Sequence, residues 1–199
     1  GVEKRRWVMA NEDDIPISTS KQLSVGLHYQ KRNLLISFEG YGKWVDDIIT
    51  STQGFQNQFQ YVRATGNYET SGIDFLINKR ISKWNTWFSY SYAISTYKFP
   101  DLIPQSFPNN LDIRHRATAG ISFQSDHLDI SCGANWRTGK PYTEPNSVLN
   151  GKIQYQSPNS TRLENYWRVD LSANYTFDFT TRVKGVVGFS IWNLFNHDN

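Results

Sequence analysis

"NYWRVDLSANYTF" occupies Asn165 to Phe177. From Trp167 onward, one set of alternate residues is Trp167, Val169, Leu171, Ala173, Tyr175 and Phe177; the other is Arg168, Asp170, Ser172, Asn174 and Thr176. Side chains of an extended strand point to opposite faces in turn, so the stretch is a strand with one apolar and one polar face. Alternation alone leaves open which face is inward. An apolar core with water outside satisfies it, and so does an apolar wall in lipid around a wet interior.

The pattern recurs along the chain. Gln22 to Gln30 puts Leu23, Val25, Leu27 and Tyr29 on one face, and Leu34 to Trp44 puts Leu34, Ile36, Phe38 and Trp44 there. Tyr68 to Lys79 places Ile73, Phe75 and Ile77; Trp87 to Ser95 places Phe88, Tyr90, Tyr92 and Ile94. Arg116 to Gln124 shows Ala117, Ala119, Ile121 and Phe123, and Leu128 to Arg137 shows Leu128, Ile130, Cys132, Ala134 and Trp136. Val183 to Trp192 closes the series with Val183, Val187, Phe189 and Ile191. Counting the opening stretch, these are about eight strands of roughly 9 to 12 residues, near the length that crosses a bilayer at a tilt and longer than the usual soluble strand.

Short and long connections alternate. Lys31–Asn33, Ser82–Asn85, Gln124–His127 and Asp178–Thr181 are tight, whereas Val45–Asn67, Thr96–His115 and Thr138–Asn165 are long. In an up-and-down sheet the tight turns then share one end and the long loops the other, which is the asymmetry of outer-membrane barrels. A Greek-key sandwich has no reason to sort its connections by end. Tyr29, Phe88, Phe123 and Phe177 lie on the apolar phase beside short turns, and Trp44, Trp136 and Trp167 lie on it beside long loops. They read as two interfacial aromatic girdles. The opposite phase is small and polar, with His28, Glu39, Lys43, Asp74, Asn135 and Asp170 among its members and Leu35, Tyr41, Leu76 and Trp87 as exceptions. A hydrated lumen fits this face better than a solvent-washed sheet, which would carry longer Lys and Glu runs.

Composition is compatible with either environment. Among 199 residues, aromatics make up 15% and the net charge is +3, spread along the chain. Lys4–Arg6 is a tight basic cluster that reads as a solvated loop, so no nucleic-acid partner is expected. No apolar run approaches the length of a membrane-crossing helix. The mean hydropathy of −0.58 does not bear on a barrel, whose strands alternate. Cys132 is the single cysteine, which excludes a disulfide framework and a cysteine-based zinc site; its default is a small buried hydrophobe.

Several phrases resemble the carboxy-terminal half of a TonB-dependent outer-membrane receptor barrel. They are "SFPNNLDIRHRATAGISF" (Ser106 to Phe123), "WRTGKPYT" (Trp136 to Thr143), "TSGIDFLINKRI" from Ser71 and its preceding Thr70 to Ile81, and "RLENYWRVDLSANYTF" followed by "VVGFSIWNLFNHDN". The resemblance implies a barrel of about 22 strands enclosing an amino-terminal plug. It implies a bacterial outer-membrane importer that binds a scarce nutrient outside and is driven through the TonB complex. Ferric siderophores, haem, cobalamin, glycans and peptides are the substrate classes. The sequence carries no plug and no TonB box, and it ends after "NLFNHDN", where the family has a further hairpin and a terminal aromatic. It is expected to be an all-β, antiparallel, up-and-down transmembrane barrel segment over residues 1–199, with lipid, its own plug, the TonB complex and a small nutrient or metal chelate as partners. Two alternatives belong to other classes: a soluble β-sandwich binding module and a passive porin-like channel.

The chemistry expected is binding, not catalysis. His28, His115, His127 and His197 are far apart in sequence, without a second ligand at metal spacing. No nucleophile–base pair, phosphate loop or dinucleotide fingerprint is present, so neither an enzyme nor a cofactor is expected. Arg114, Arg116, Arg137 and Arg168 are candidate anion-binding residues, because guanidinium suits carboxylate and phosphate. The competing reading is structural ion pairing, for Arg168 with Asp170 in particular. Phe107 and Tyr142 are candidates because loops on a rigid scaffold carry binding. Phe55, Phe59, Tyr61, Phe99 and Tyr155 share that position, where rings either stack on a ligand or pack the loops together.

Overall fold

The computed structural model describes residues 10, 16–50, 53–55, 58–59 and 62–198. The basic cluster Lys4–Arg6 and the loop aromatic Tyr61 lie outside the described residues. The described chain is antiparallel β-structure: β1 (Thr19–Lys31), β2 (Leu34–Ile49), β3 (Thr65–Ile81), β4 (Trp84–Lys98), β5 (Ser106–Pro108), β6 (His115–Gln124), β7 (Leu128–Arg137), β8 (Pro141–Tyr142), β9 (Pro145–Leu149), β10 (Lys152–Tyr155), β11 (Thr161–Arg162), β12 (Tyr166–Thr180) and β13 (Val183–Ile191).

Eight of these form one sheet in the order β1-β2-β3-β4-β6-β7-β12-β13, with β5 added at the end of β4. They are the eight strands read from the alternation. Each neighbour is the next long strand in sequence, so the sheet is an open meander. The register carries the apolar phase across all eight strands. Leu27 faces Phe38, Phe38 faces Phe75, Phe75 faces Tyr90 and Tyr90 faces Ala117. Ala117 faces Trp136, Trp136 faces Trp167, and further along β12 Ala173 faces Phe189. A slip of one residue at any ladder would turn a strand over, so the pattern and the pairing specify each other.

This apolar face is uncovered. Leu27 is 74% and Val187 64% exposed, and contacts between elements are those of sheet neighbours. The sandwich alternative is therefore overturned, because the face that would be its core packs against no second layer among the described residues. Cys132 follows the same correction. It is half-buried, between Ile121 and Leu171 on the outward face, and is not a core residue. No helix of the described chain is long and apolar enough to cross a membrane, which says nothing of crossing by strands.

Short turns shrink to a few residues. Arg32 and Ser82 take φ of 49° and 51°, the left-handed conformation by which such a turn reverses the chain. The strands also extend beyond the expected spans, with β2 to Ile49 and β4 to Lys98. Backbone pairing needs no alternation, so the ladder continues past the patterned region, through a register shift between Val45 and Ile48 where Asp47 has φ 59°. Because β4 starts at Trp84, the inner girdle is occupied there by Trp84 against Phe123, with centroids 4.9 Å apart. Phe88 sits higher, opposite Ala119. The lumen-phase exceptions Tyr41 and Trp87 have a packing reason. Each faces a glycine, Gly72 and Gly120 respectively, and lies over it, filling space a side chain would need.

Candidate functional site

The buried apolar cluster sits at the long-loop end of the sheet, where the ends of β2 and β4 and the strand β5 meet the long loops. Phe55, Phe59, Tyr97, Phe99, Leu102 and Phe107 pack with Val45, Ile48 and Ala64. Phe99 stacks on Phe107 at 6.1 Å, and Phe55 meets Phe99 edge-on at 5.7 Å. Burial of each ring contributes about 1.5–3 kcal/mol, enough to hold the β2–β3 connection against the β4–β6 connection. Phe107 is thus placed inside this cluster, 4% exposed, and its ring packs the loops together.

Polar ties extend the assembly to the third loop. Asp112 is the hub, with its side chain fully buried. Its Oδ1 accepts from the Ser95 backbone N–H at 2.8 Å, and its Oδ2 accepts from Arg114 Nε at 2.7 Å and Arg162 Nη2 at 2.5 Å. Arg162 Nη1 donates to the Asp112 carbonyl at 2.6 Å and to the Gly139 carbonyl at 3.1 Å. Asn159 Nδ2 donates to the Pro108 carbonyl at 2.7 Å, and Asn110 Nδ2 donates to the Gln53 carbonyl at 2.7 Å. Hydrogen bonds to Asp112 hold the Arg114 pKa above its ordinary value, opposed by partial burial. Three loops distant in sequence become one rim.

Below the rim, the lumen face holds a cleft of about 310 Å³ lined by Tyr41, Lys43, Tyr68, Thr70, Ser95 and Asp112. Lys43 Nζ lies 6.0 Å from the Tyr68 ring centroid. The lining combines an ammonium, hydroxyls and aromatic faces, which suits a polar ligand bearing acceptor oxygens.

The structure divides the four candidate arginines. Arg114 pairs with Asp112, and Arg168 pairs with Asp170 at 2.9 Å, whose Oδ1 also accepts from the Asn193 backbone N–H at 3.0 Å. Arg116 and Arg137 are exposed, face each other directly on β6 and β7, and make no ion pair among the described residues. The Arg137 guanidinium stands 4.6 Å from the centroid of Tyr166. Tyr142 lies half-buried on β8, opposite Thr161 of β11, in the outer rim.

Sequence reasoning passed over Asp112 and Arg162, because a loop Asp and a loop Arg 50 positions apart carry no periodic signal. Tyr41 and Lys43 were visible on the lumen phase but not as parts of a cleft. His115 is on the outward phase and bonds through Nδ1 to the Tyr90 hydroxyl at 2.7 Å, within the aromatic belt. Among the described residues, no group of three or more His, Cys, Asp or Glu is arranged to hold a metal ion.

The comparisons with known proteins agree with this architecture. The family described as "TonB dependent receptor-like, beta-barrel" matches residues 10–194. No curated protein matches the sequence significantly. Among solved structures, the ferric-catecholate import receptor Fiu of E. coli K12 is similar at 16% identity and TM-score 0.63, over 94% of this chain and 25% of that one. The FrpB iron transporter of Neisseria meningitidis is similar at 14% identity and TM-score 0.64, over 94% and 28%. The copper transporter OprC is similar at 20% identity and TM-score 0.61, over 94% and 27%. At these identities the likeness is one of fold, and the chain spans about a quarter of the length of the structures it matches.

Proposed function

Because the chain belongs to the TonB-dependent receptor β-barrel family, we propose that it is part of the wall and outer rim of a bacterial outer-membrane importer. In this reading the apolar phase faces lipid, the small and polar phase faces a lumen filled by the protein's own plug, and the tied loops capture the ligand. Energy relayed by the TonB complex then rearranges the plug and admits the ligand. The chain's own residues do no covalent chemistry; family members are transporters.

The observation that carries the reading is the coherence of the two faces. One phase is apolar across all eight strands, and every long loop lies at the end opposite the short turns. The rim and the cleft beneath it are where a ligand first meets the protein, with Tyr41, Lys43 and Tyr68 in the cleft wall. Tyr142 is a proposed ligand-facing group of the rim, whereas Arg116 and Arg137 stand on the lumen wall beneath it. Arg114, Arg168 and Phe107 act through the geometry they hold.

The nutrient is proposed to be a scarce compound of the kind such importers take, with a ferric siderophore tested first. Haem, cobalamin, a glycan and a peptide follow in the same assay. A strain lacking the full-length protein is grown with each as limiting source, with and without functional TonB. Growth that requires both the protein and TonB on one nutrient supports the proposal. Uptake independent of TonB would instead identify a passive channel.

A further inference from the structure

The register places one transverse row of lumen-phase residues across seven strands: Gly26, Glu39, Asp74, Ser91, Arg116, Arg137 and Tyr166. Its charges are segregated. Glu39 faces Asp74 directly, Arg116 faces Arg137 directly, and Ser91 stands between the two pairs. Like charges at facing positions on adjacent strands have Cβ atoms about 5 Å apart and destabilise a sheet. None of the four makes an ion pair among the described residues. Other charges nearby do: Arg114 and Arg162 in the rim have Asp112, and Arg168 on β12 has Asp170.

The wall leaves this row unpaired. Its nearest opposite charges, Asp74 and Arg116, stand two strand spacings apart, about 10 Å between backbones, and make no ion pair among the described residues. The middles of the two pairs are three spacings apart, about 14 Å. A small anion seated on the arginines would leave the carboxylate pair uncompensated. A polypeptide crossing the lumen spans 14 Å in four or five extended residues and can present both signs at once. Planar guanidinia side by side suit a carboxylate.

We propose that the row is a bipolar docking strip for a polypeptide segment inside the barrel, which sets a carboxylate against Arg116 and Arg137 and a basic group against Glu39 and Asp74. This rests on the plugged-importer reading and names the wall residues that hold the plug. The strip also gives a register for the plug. Reversed charge order makes the wrong seating repulsive at both ends, which is specificity by exclusion.

The test uses the full-length protein in planar bilayers, where a filled lumen conducts little ion current. R116E/R137E and E39K/D74K are each expected to raise the open fraction about ten-fold or more, the loss of roughly one charge-assisted contact. R116K/R137K is expected to stay closed. Heat-modifiable migration of each variant confirms an assembled barrel. If the wild type is closed and both reversed variants stay closed, the docking strip is wrong while the importer reading stands. If the wild type itself conducts as an open pore, the plugged reading fails and the strip with it. If the reversed variants stay closed but lose a thermal stabilisation that citrate gives the wild type, the arginines bind a small anion and the strip is overturned.

Discussion

Asp112→Asn is the sharpest probe of the rim. The buried carboxylate serves two groups of donors: the Ser95 N–H on Oδ1, and two guanidinia on Oδ2. Asparagine has the same shape but one acceptor oxygen. If that oxygen turns to the arginines, its NH2 confronts the Ser95 N–H; if it turns to Ser95, its NH2 confronts two cations. Either way, one donor set loses its partner and the charge assistance is gone. Breaking a buried ion pair costs about 3–5 kcal/mol. Here Arg114 and Arg162 are 36% and 33% exposed and regain water, which lowers the expected cost to about 2–3 kcal/mol. The loss is local, because Asp112 ties loops and the end of β4 and not the mid-sheet ladders. Hydrogen exchange of the full-length protein in lipid nanodiscs should therefore speed up roughly 30- to 150-fold at Ser95 and around Arg162. Amides mid-strand in β6, such as Ala119, should not change. Rim exchange within about three-fold of wild type, against the roughly 30-fold minimum expected, would refute Asp112 as the hub. Equal acceleration at Ala119 would refute a rim that opens apart from the wall.

Three further perturbations test other parts of the reasoning. Ile121→Lys puts a charge on the outward face at mid-strand and should cost about 2–4 kcal/mol in the bilayer, visible as lost heat-modifiable barrel in outer-membrane fractions, whereas its lumen-phase neighbour Ser122→Lys should assemble. Gly120→Ala sets a Cβ 2.5 Å from Trp87 Nε1 and should destabilise by about 1–3 kcal/mol, with a shifted tryptophan emission. Gly133→Ala, whose nearest atom is 3.9 Å away, should be silent in both denaturant midpoint and emission. Phe99→Ala removes the fully buried ring of the loop cluster at about 3–5 kcal/mol, and limited proteolysis should then cut the outer loops while the strand core stays intact.

The alternation from Trp167 to Phe177 specified a strand and its two faces, and the same arithmetic located all eight wall strands and the end at which every long loop lies. A period of two needs no partner strand to be seen, because it is a property of each extended segment alone. Aromatic and glycine placement was equally local, yet the reason Tyr41 and Trp87 break the lumen pattern needed the register that lays them over Gly72 and Gly120. The rim lay wholly beyond the pattern. Asp112 and Arg162 meet across 50 residues of irregular chain, and the phenylalanines of two loops become a core through folding that no periodicity records. The arginines make the same point. In sequence each of the four was a guanidinium near the outer end, and Arg168 already had a same-face carboxylate, Asp170, two positions on. The fold kept that pair, gave Arg114 the buried Asp112 and set Arg116 against Arg137, because Coulomb interaction depends on distance in space and the ladder, not the chain, fixes that distance.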